Sequence, residues 1–131
     1  MSETTPGEGA QEGAIEETAA LGRVMIAPVV LAQIVERTAL GVPGVAAMCT
    51  RHPRFERLRG RAGEEASGVR VGVVDDVVNA DLAIVADADA NMLELGRRIQ
   101  REVAVALRQM VGMDVGEINV YVDDIRAPAP D

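Results

Sequence analysis

Three polar residues ahead of the longest predicted helix have the spacing with which a calcium-binding loop begins. They are Asp87, Asp89 and Asn91. A loop of this type also needs a glycine at its sixth position, for a sharp turn, and a bidentate glutamate at its twelfth. Met92 and Arg98 occupy those two positions. The pattern therefore indicates the end of a strand that leads into a capped helix, and no calcium site is predicted.

The only cysteine and the only histidine of the chain, Cys49 and His52, lie three positions apart. This spacing supplies half of a zinc site, and because a structural zinc ion takes four ligands, only a metal shared between chains could complete it. A thiolate beside a histidine base is also the arrangement of a nucleophile. A buried cysteine at a strand end, followed by an exposed loop histidine, is the commoner arrangement and the interpretation that we favour.

Carboxylates and serines complete the search for a catalytic group. Two pairs of neighbouring aspartates, 75–76 and 123–124, fall at predicted strand ends, where solvated acids are ordinary and only burial would separate their pKa values into an acid and a base. Ser2 and Ser67 lie in segments without predicted structure, and a chain without lysine cannot form a phosphate-binding P-loop. We therefore predict that the protein is not an enzyme and takes no metal or cofactor.

A cluster of arginines is the feature that indicates a partner. Residues 51–61 contain one glutamate and five arginines: Arg51, Arg54, Arg57, Arg59 and Arg61. Arginine forms bidentate bonds with phosphates and carboxylates. Three interpretations stay open: a solvated loop without a binding role, a site for acidic lipid head groups or RNA, and a clamp on the acidic body or tail of another copy. The long helix offers a second set to a neighbour, Arg97, Arg98, Arg101 and Arg108.

Composition indicates one small cytoplasmic domain. A chain of 131 residues is most simply a single domain, and its single cysteine, which excludes an intramolecular disulfide, fits a reducing compartment. Neither a signal peptide nor an apolar run of about 20 residues is visible, so we expect no membrane span. The net charge of −8 and an aromatic content of 2% disfavour, without excluding, a module that binds RNA.

The predicted elements occupy residues 22–125. Residues 1–21 are an acidic tail with too few apolar residues to become ordered, residues 50–67 are an arginine-rich loop, and residues 126–131 are a proline-rich tail. Hydrophobic periodicity and breaker residues predict two helices, over 28–40 and 91–112. They also predict strands over 22–27, 45–49, 68–75, 78–87 and 115–124.

The element order β-α-β-β-β-α-β predicts an α+β fold. Alternating apolar residues give each long strand one buried face, and the long helix is amphipathic. A helical crossover makes the last two strands parallel if they share a sheet. We therefore predict a two-layer sandwich in which two helices pack on one face of a mixed sheet.

Five stretches of the chain, taken in their order and spacing, resemble the alkaline shock protein family, the envelope stress response proteins of Gram-positive bacteria. They are GRVMIAPVVLAQIVERTA, GVPGVAAM, GVRVGVVDDVVNADLAIVAD, NMLELGRRIQREVAVALRQMVGMDV and EINVYVDDI. The resemblance covers about residues 22–125. This chain departs from the family at Ala88-Asp89, where Tyr-Gly is common, and in the arginine-rich loop that follows Met48.

The resemblance implies a small cytoplasmic protein without known enzymatic activity, tied to alkaline, starvation and cell-envelope stress. Some members are held at the membrane by a separate anchor protein, and some self-associate. We therefore predict a non-enzymatic scaffold or adaptor that works through protein–protein contacts and forms homo-oligomers. The alternative is a small nucleic-acid-binding module that uses the arginine-rich loop.

Overall fold

The computed structural model describes residues 15–19, 21–50, 64–66 and 68–127. In these ranges the chain forms two helices, α1 (Pro28–Leu40) and α2 (Met92–Met110). It also forms seven strands: β1 (Ile15–Ala19), β2 (Gly22–Ile26), β3 (Val45–Met48), β4 (Glu64–Ala66), β5 (Val69–Val74), β6 (Val77–Asp87) and β7 (Asp114–Arg126). The predicted α+β class is confirmed.

Strand β6 is the centre of the main sheet. On one side β7 runs parallel to it along its whole length, as the crossover through α2 predicts. On the other side β5 and then β3 pair with it in tandem, both antiparallel. Ala83 joins the two, since its N–H donates to Gly68 O (2.9 Å) and its carbonyl accepts from Cys49 N (2.8 Å). The short strand β4 pairs with β5.

A two-residue turn joins β5 to β6. Asp75 and Asp76 both have positive φ, 53° and 65°, as a type I′ turn requires, and this turn matches the twist of an antiparallel hairpin. Asp-Asp is a weaker turn signal than Asn-Gly, so the sequence predicted the turn without its register. The structure sets the register by pairing Val74 with Val77.

Both helices pack on the same face of the sheet. The residues of β6 that join the core alternate along that face: Val78, Ala80, Leu82, Ile84 and Ala86. Helix α1 covers them with Leu31, Ala32, Val35 and Ala39, and α2 with Leu95, Ile99, Val103 and Leu107. Ala83 and Val85, which point to the opposite face, are buried as well. The apolar pattern of α2 predicts one face that runs from Met92 to Met110. The buried stripe ends at Leu107, because Met110 is the last residue of the helix and is 67% exposed.

The ends of α2 follow the sequence signals. The Asn91 side chain accepts a hydrogen bond from Glu94 N at 3.1 Å, which satisfies one of the free amides of the first turn. Gly112 has a φ of +81°, and its N–H donates to the carbonyls of Leu107 and Arg108. This left-handed residue ends the helix where glycine is favoured.

Two short strands fall in segments for which the sequence predicted no element. Strand β1 lies within residues 1–21 and pairs with β2, and β4 lies within residues 50–67. Strand β2, which we expected in the main sheet, forms a separate two-stranded sheet with β1. These short strands are defined by backbone hydrogen bonds. Side-chain periodicity does not reveal such pairing in so short a segment.

Candidate protein-binding groove

The arginines singled out in the sequence are distributed over two parts of the chain. Arg51, Arg54, Arg57, Arg59 and Arg61 lie outside the described residues. The other set lies on α2, where the structure separates its members. Arg98 forms an ion pair with Glu102 one turn later, at 3.0 Å. Arg97 lines a cavity together with Val120 and Val122 of β7, and Arg101 lies one turn further along the exposed side of α2.

Helical geometry explains this separation. At about 100° per residue, Arg97, Arg101 and Arg108 fall within roughly 40° of rotation and form a stripe along the helix. The buried stripe through Ile99 faces the sheet. Arg98, one position beyond Arg97, is carried about 100° further round, to the flank with Glu102.

A groove runs between the Arg97 flank of α2 and strand β7. Its first part has a volume of about 440 Å³ and is lined by Met92, Leu93, Gly96, Arg97 and Gln100 from the helix and by Val120 and Val122 from the strand. An adjoining depression has a volume of about 400 Å³ and, among the described residues, is lined by α2 alone, with Arg97, Gln100, Arg101, Ala104, Val105 and Arg108. The two share Arg97 and Gln100, and together we call them the α2–β7 groove, although only the first part touches β7.

The strand that borders the groove has an unpaired edge. Strand β7 pairs with β6 on one side, and none of the described strands pairs with its other side. An unpaired strand edge presents backbone N–H and C=O groups that another polypeptide segment is able to pair with. The groove therefore combines apolar side chains with a row of backbone hydrogen-bonding groups.

Two irregularities confine the regular part of β7 to Ile118–Val122. Its pairing with β6 shifts register before Ile118 and again after Val122. At the first shift Asn79 Oδ1 accepts from Glu117 N at 2.8 Å, and a Cβ at Gly116 would collide with the same oxygen. Bulges of this kind twist an edge strand and limit its pairing with other chains.

Gln100 connects the helix to the edge strand. Its Nε2 donates to Ile118 O at 2.9 Å in a partly buried setting. This bond ties the middle of α2 to the start of the regular segment of β7. The base of the groove is thereby held by a polar contact between its two walls.

Gly96 leaves open space in the wall of the groove. It lies inside α2, where glycine is unfavourable relative to alanine. Its φ is not in the left-handed range, and a Cβ built on it would have no neighbour within 4 Å. The packing of the described residues therefore does not require a glycine at this position.

The charge of the groove is opposite to that of the chain. The protein has a net charge of −8, whereas the residues lining the groove include three arginines and neither aspartate nor glutamate. In the described part of the chain, Arg97, Arg101 and Arg108 form no ion pair. Arg108 lies in the last turn of α2, where a cation also interacts favourably with the helix dipole. The free guanidinium groups suit an acidic ligand.

Sequence reasoning found the arginines but missed the rest of the groove. Gly96, Gln100 and Val105 were not proposed as site residues. A glycine in a strongly amphipathic helix was an available signal, because local packing seldom rewards it. The open edge of β7 had no such signal, since it depends on which strands become neighbours.

The sequence also offered Cys49 and His52 as a nucleophile or half of a zinc site, and Asn91 as a calcium ligand. Cys49 is a free, half-buried cysteine, and His52 lies outside the described residues. Asn91 caps α2 with the amide that would have been a calcium ligand. Across residues 15–19, 21–50, 64–66 and 68–127, no three His, Cys, Asp or Glu side chains are grouped as a metal ion would need. In the same ranges no helix is long and apolar enough to cross a membrane.

Comparison with known proteins assigns a family to this chain. The model of the alkaline shock protein family, described as having a cell envelope-related function, matches residues 16–127. The relatives include two proteins of Bacillus subtilis (strain 168) whose own functions are uncharacterized. YloU is 23% identical over 118 residues, covering 88% of this chain and 98% of YloU. YqhY is 27% identical over 106 residues, covering 81% and 78%.

Solved structures resemble the chain more distantly. The copper form of MamM CTD aligns with a TM-score of 0.49 and 16% identity, over 76% of this chain and 85% of that structure. The manganese form of the E289D variant aligns with a TM-score of 0.44 and 19% identity, over 72% and 95%.

Proposed function

The chain belongs to the alkaline shock protein family, whose function is cell envelope-related, and from this premise we propose that it is a non-enzymatic adaptor that holds a partner protein in the α2–β7 groove. The observation that carries the proposal is an apolar cavity bordered by Arg97 and by an edge of β7 that no described strand pairs with, continued along α2 by Arg101 and Arg108, in an acidic protein. Each of the three features favours binding of another polypeptide over catalysis.

The chemistry of the groove supports binding rather than turnover. Its polar groups are guanidinium groups, one amide and the strand backbone, and none of these is a general base or a nucleophile near neutral pH. Arginine gives directional contacts to carboxylates, and the aliphatic side chains exclude water from part of the contact. These are properties of a recognition surface.

Location at the cell envelope requires a partner under this proposal. The adaptor works in the cytoplasm, and a separate anchor protein recruits it to the inner face of the membrane. The arginine-rich loop at 50–67 acts as a second contact, either with the anchor or with acidic lipid head groups beside it. An assembly of several copies would bind the membrane-anchored partner more tightly than a single copy does, without any new type of contact.

A crosslinked pull-down from the host cell tests the proposal. The tagged full-length protein is compared with the variant Arg97→Glu/Arg101→Glu, and each capture is repeated after nuclease treatment. We expect a membrane protein to be retained after nuclease and to be lost from the groove variant, because the reversed charges repel an acidic partner. Arg98→Gln is the matched control, since it changes an arginine of the same helix on the opposite flank.

Three results would redirect the assignment. Capture that the groove variant does not affect would place the binding site elsewhere, and a variant with the five loop arginines changed to glutamine would then show whether that site is the loop. Capture that collapses with nuclease would favour the nucleic-acid-binding alternative. A capture unchanged by either variant would refute both arginine surfaces.

A further inference from the structure

We propose that the α2–β7 groove binds an extended acidic segment of the partner protein, which adds as a strand to the edge of β7 that none of the described strands pairs with. This inference rests on the proposed function and specifies its chemistry. The segment is recognised by backbone pairing with β7, by apolar contact with α2 and by ion pairs with Arg97 and Arg101.

The length of the segment follows from the irregularities of β7. Pairing with β6 is regular only over Ile118–Val122, so an added strand finds at most about five residues of undistorted edge, roughly 16 Å at the usual rise of an extended chain. Within this stretch the Ile118 carbonyl already accepts from Gln100. Beyond these residues the bulges turn the backbone away from regular pairing. The partner therefore needs a short extended segment rather than a complete sheet.

The side-chain pattern follows from the two faces of the strand. Successive side chains of an added strand point alternately toward α2 and toward the open face of the sheet. Those that point toward α2 meet the space at Gly96 and the exposed side chain of Leu93, which is 66% accessible. An apolar side chain of the segment fits this part of the groove.

The charge of the segment follows from the stripe of arginines. Arg97 and Arg101 lie above the groove, and no carboxylate lines it. The open face beside β7 instead carries the exposed carboxylates Glu117 and Asp124. Of the positions that face α2, an acidic residue is therefore favoured beside Arg97 and Arg101, and acidic residues are disfavoured at the positions that face the other way.

Charge also distinguishes this occupant from two others. A second copy that paired β7 with β7 about a two-fold axis would bring two identical arginine stripes together and would oppose like charges. A nucleic acid would meet the exposed carboxylates of β7 and a groove without an aromatic side chain for base stacking. An acidic polypeptide has neither conflict.

Selection from a displayed library of random ten-residue peptides tests the inference with the full-length protein. Peptides that also bind the Gly96→Leu variant are discarded, because leucine fills the open space in the groove while favouring the helix. We expect the enriched peptides to contain an apolar residue, often β-branched, and a glutamate or aspartate an even number of residues away, so that both face α2. We also expect them to lack proline. Loss of both groove arginines by Arg97→Gln/Arg101→Gln should weaken a selected peptide roughly five- to twentyfold, as expected for two exposed ion pairs.

Amide hydrogen exchange identifies the mode of binding. A saturating selected peptide should slow exchange at the alternate amides of Ile118–Val122 that do not already pair with β6, while the amides of β4, at the other side of the sheet, keep their rates. Gly72→Val is the matched control for Gly96→Leu, because a Cβ at Gly72 also has no neighbour within 4 Å but lies on β5, away from the groove. It should leave peptide affinity unchanged.

Several outcomes overturn the inference. Failure to enrich peptides, enrichment of basic or proline-rich peptides, or binding that leaves β7 exchange unchanged would each refute strand addition by an acidic segment. If the protein self-associates and Gly96→Leu abolishes this, the groove belongs to a second copy. If a single-stranded RNA dodecamer binds more tightly than the selected peptide and needs Arg97 and Arg101, the groove belongs to nucleic acid. Failure here together with a groove-dependent membrane protein in the pull-down would leave the adaptor function standing.

Discussion

Replacement of Gly96 by alanine should stabilise the protein. Gly96 lies five residues into α2 with a backbone conformation that alanine shares, and the new methyl group would have no neighbour within 4 Å. The change therefore removes the cost of a helical glycine, on the order of 0.8–1 kcal/mol, without adding a steric conflict. For a chain of this size the midpoint of thermal unfolding should rise by about 3–5 °C.

The assay is reversible thermal and urea unfolding followed by far-ultraviolet circular dichroism. Gly112→Ala is the matched control, since it makes the same chemical change just beyond the end of the helix, at a φ of +81°. Alanine is strained in that conformation, so the control should be destabilised by about 1–2 kcal/mol. Opposite signs for one substitution at two positions would show that backbone conformation, and not residue type, decides the outcome.

An unchanged or lower stability of Gly96→Ala would refute the reasoning. It would mean that the wall of the groove at this position is filled by other residues of the chain or by a second copy. An unchanged slope of the urea transition is required for the comparison, because a changed slope would report an altered unfolded state instead.

Further predictions concern the elements that hold the groove, and each is tested by urea unfolding. Gly116→Ala should cost about 1–3 kcal/mol, since its methyl group displaces Asn79 Oδ1, which then no longer accepts from Glu117 N at the bulge of β7, and a neutral result would show that Asn79 finds another position. Ile99→Ala should cost about 2–5 kcal/mol because the side chain is fully buried between α2 and the sheet, and a loss below about 1 kcal/mol would contradict that packing. Asn91→Ala should cost about 1 kcal/mol through loss of the cap on Glu94 N, whereas Asn91→Ser should retain most of it.

Local signals were sufficient for the helices and the long strands. Pro28 and Gly41 bracket α1, and Asn91 and Gly112 bracket α2, because a helix end depends on the few residues that satisfy its own free backbone groups. The alternation of apolar residues in β6 predicted which face is buried, since a strand repeats every two residues. These effects act over distances of one or two turns, so one sequence contains them.

Tertiary structure alone decided what those elements leave exposed. The sequence identified Arg97 and Arg101 as exposed cations, but it did not show that Arg97 borders the edge strand β7, because the edge position of β7 depends on β5 and β3 occupying the other side of β6. Met110 extends the apolar pattern of α2 and is nevertheless exposed at the last position of the helix. The amino-acid pattern by itself determined the family, the α+β class and the faces that are buried. The groove required the fold, because its two walls come from elements that meet only after the sheet has formed.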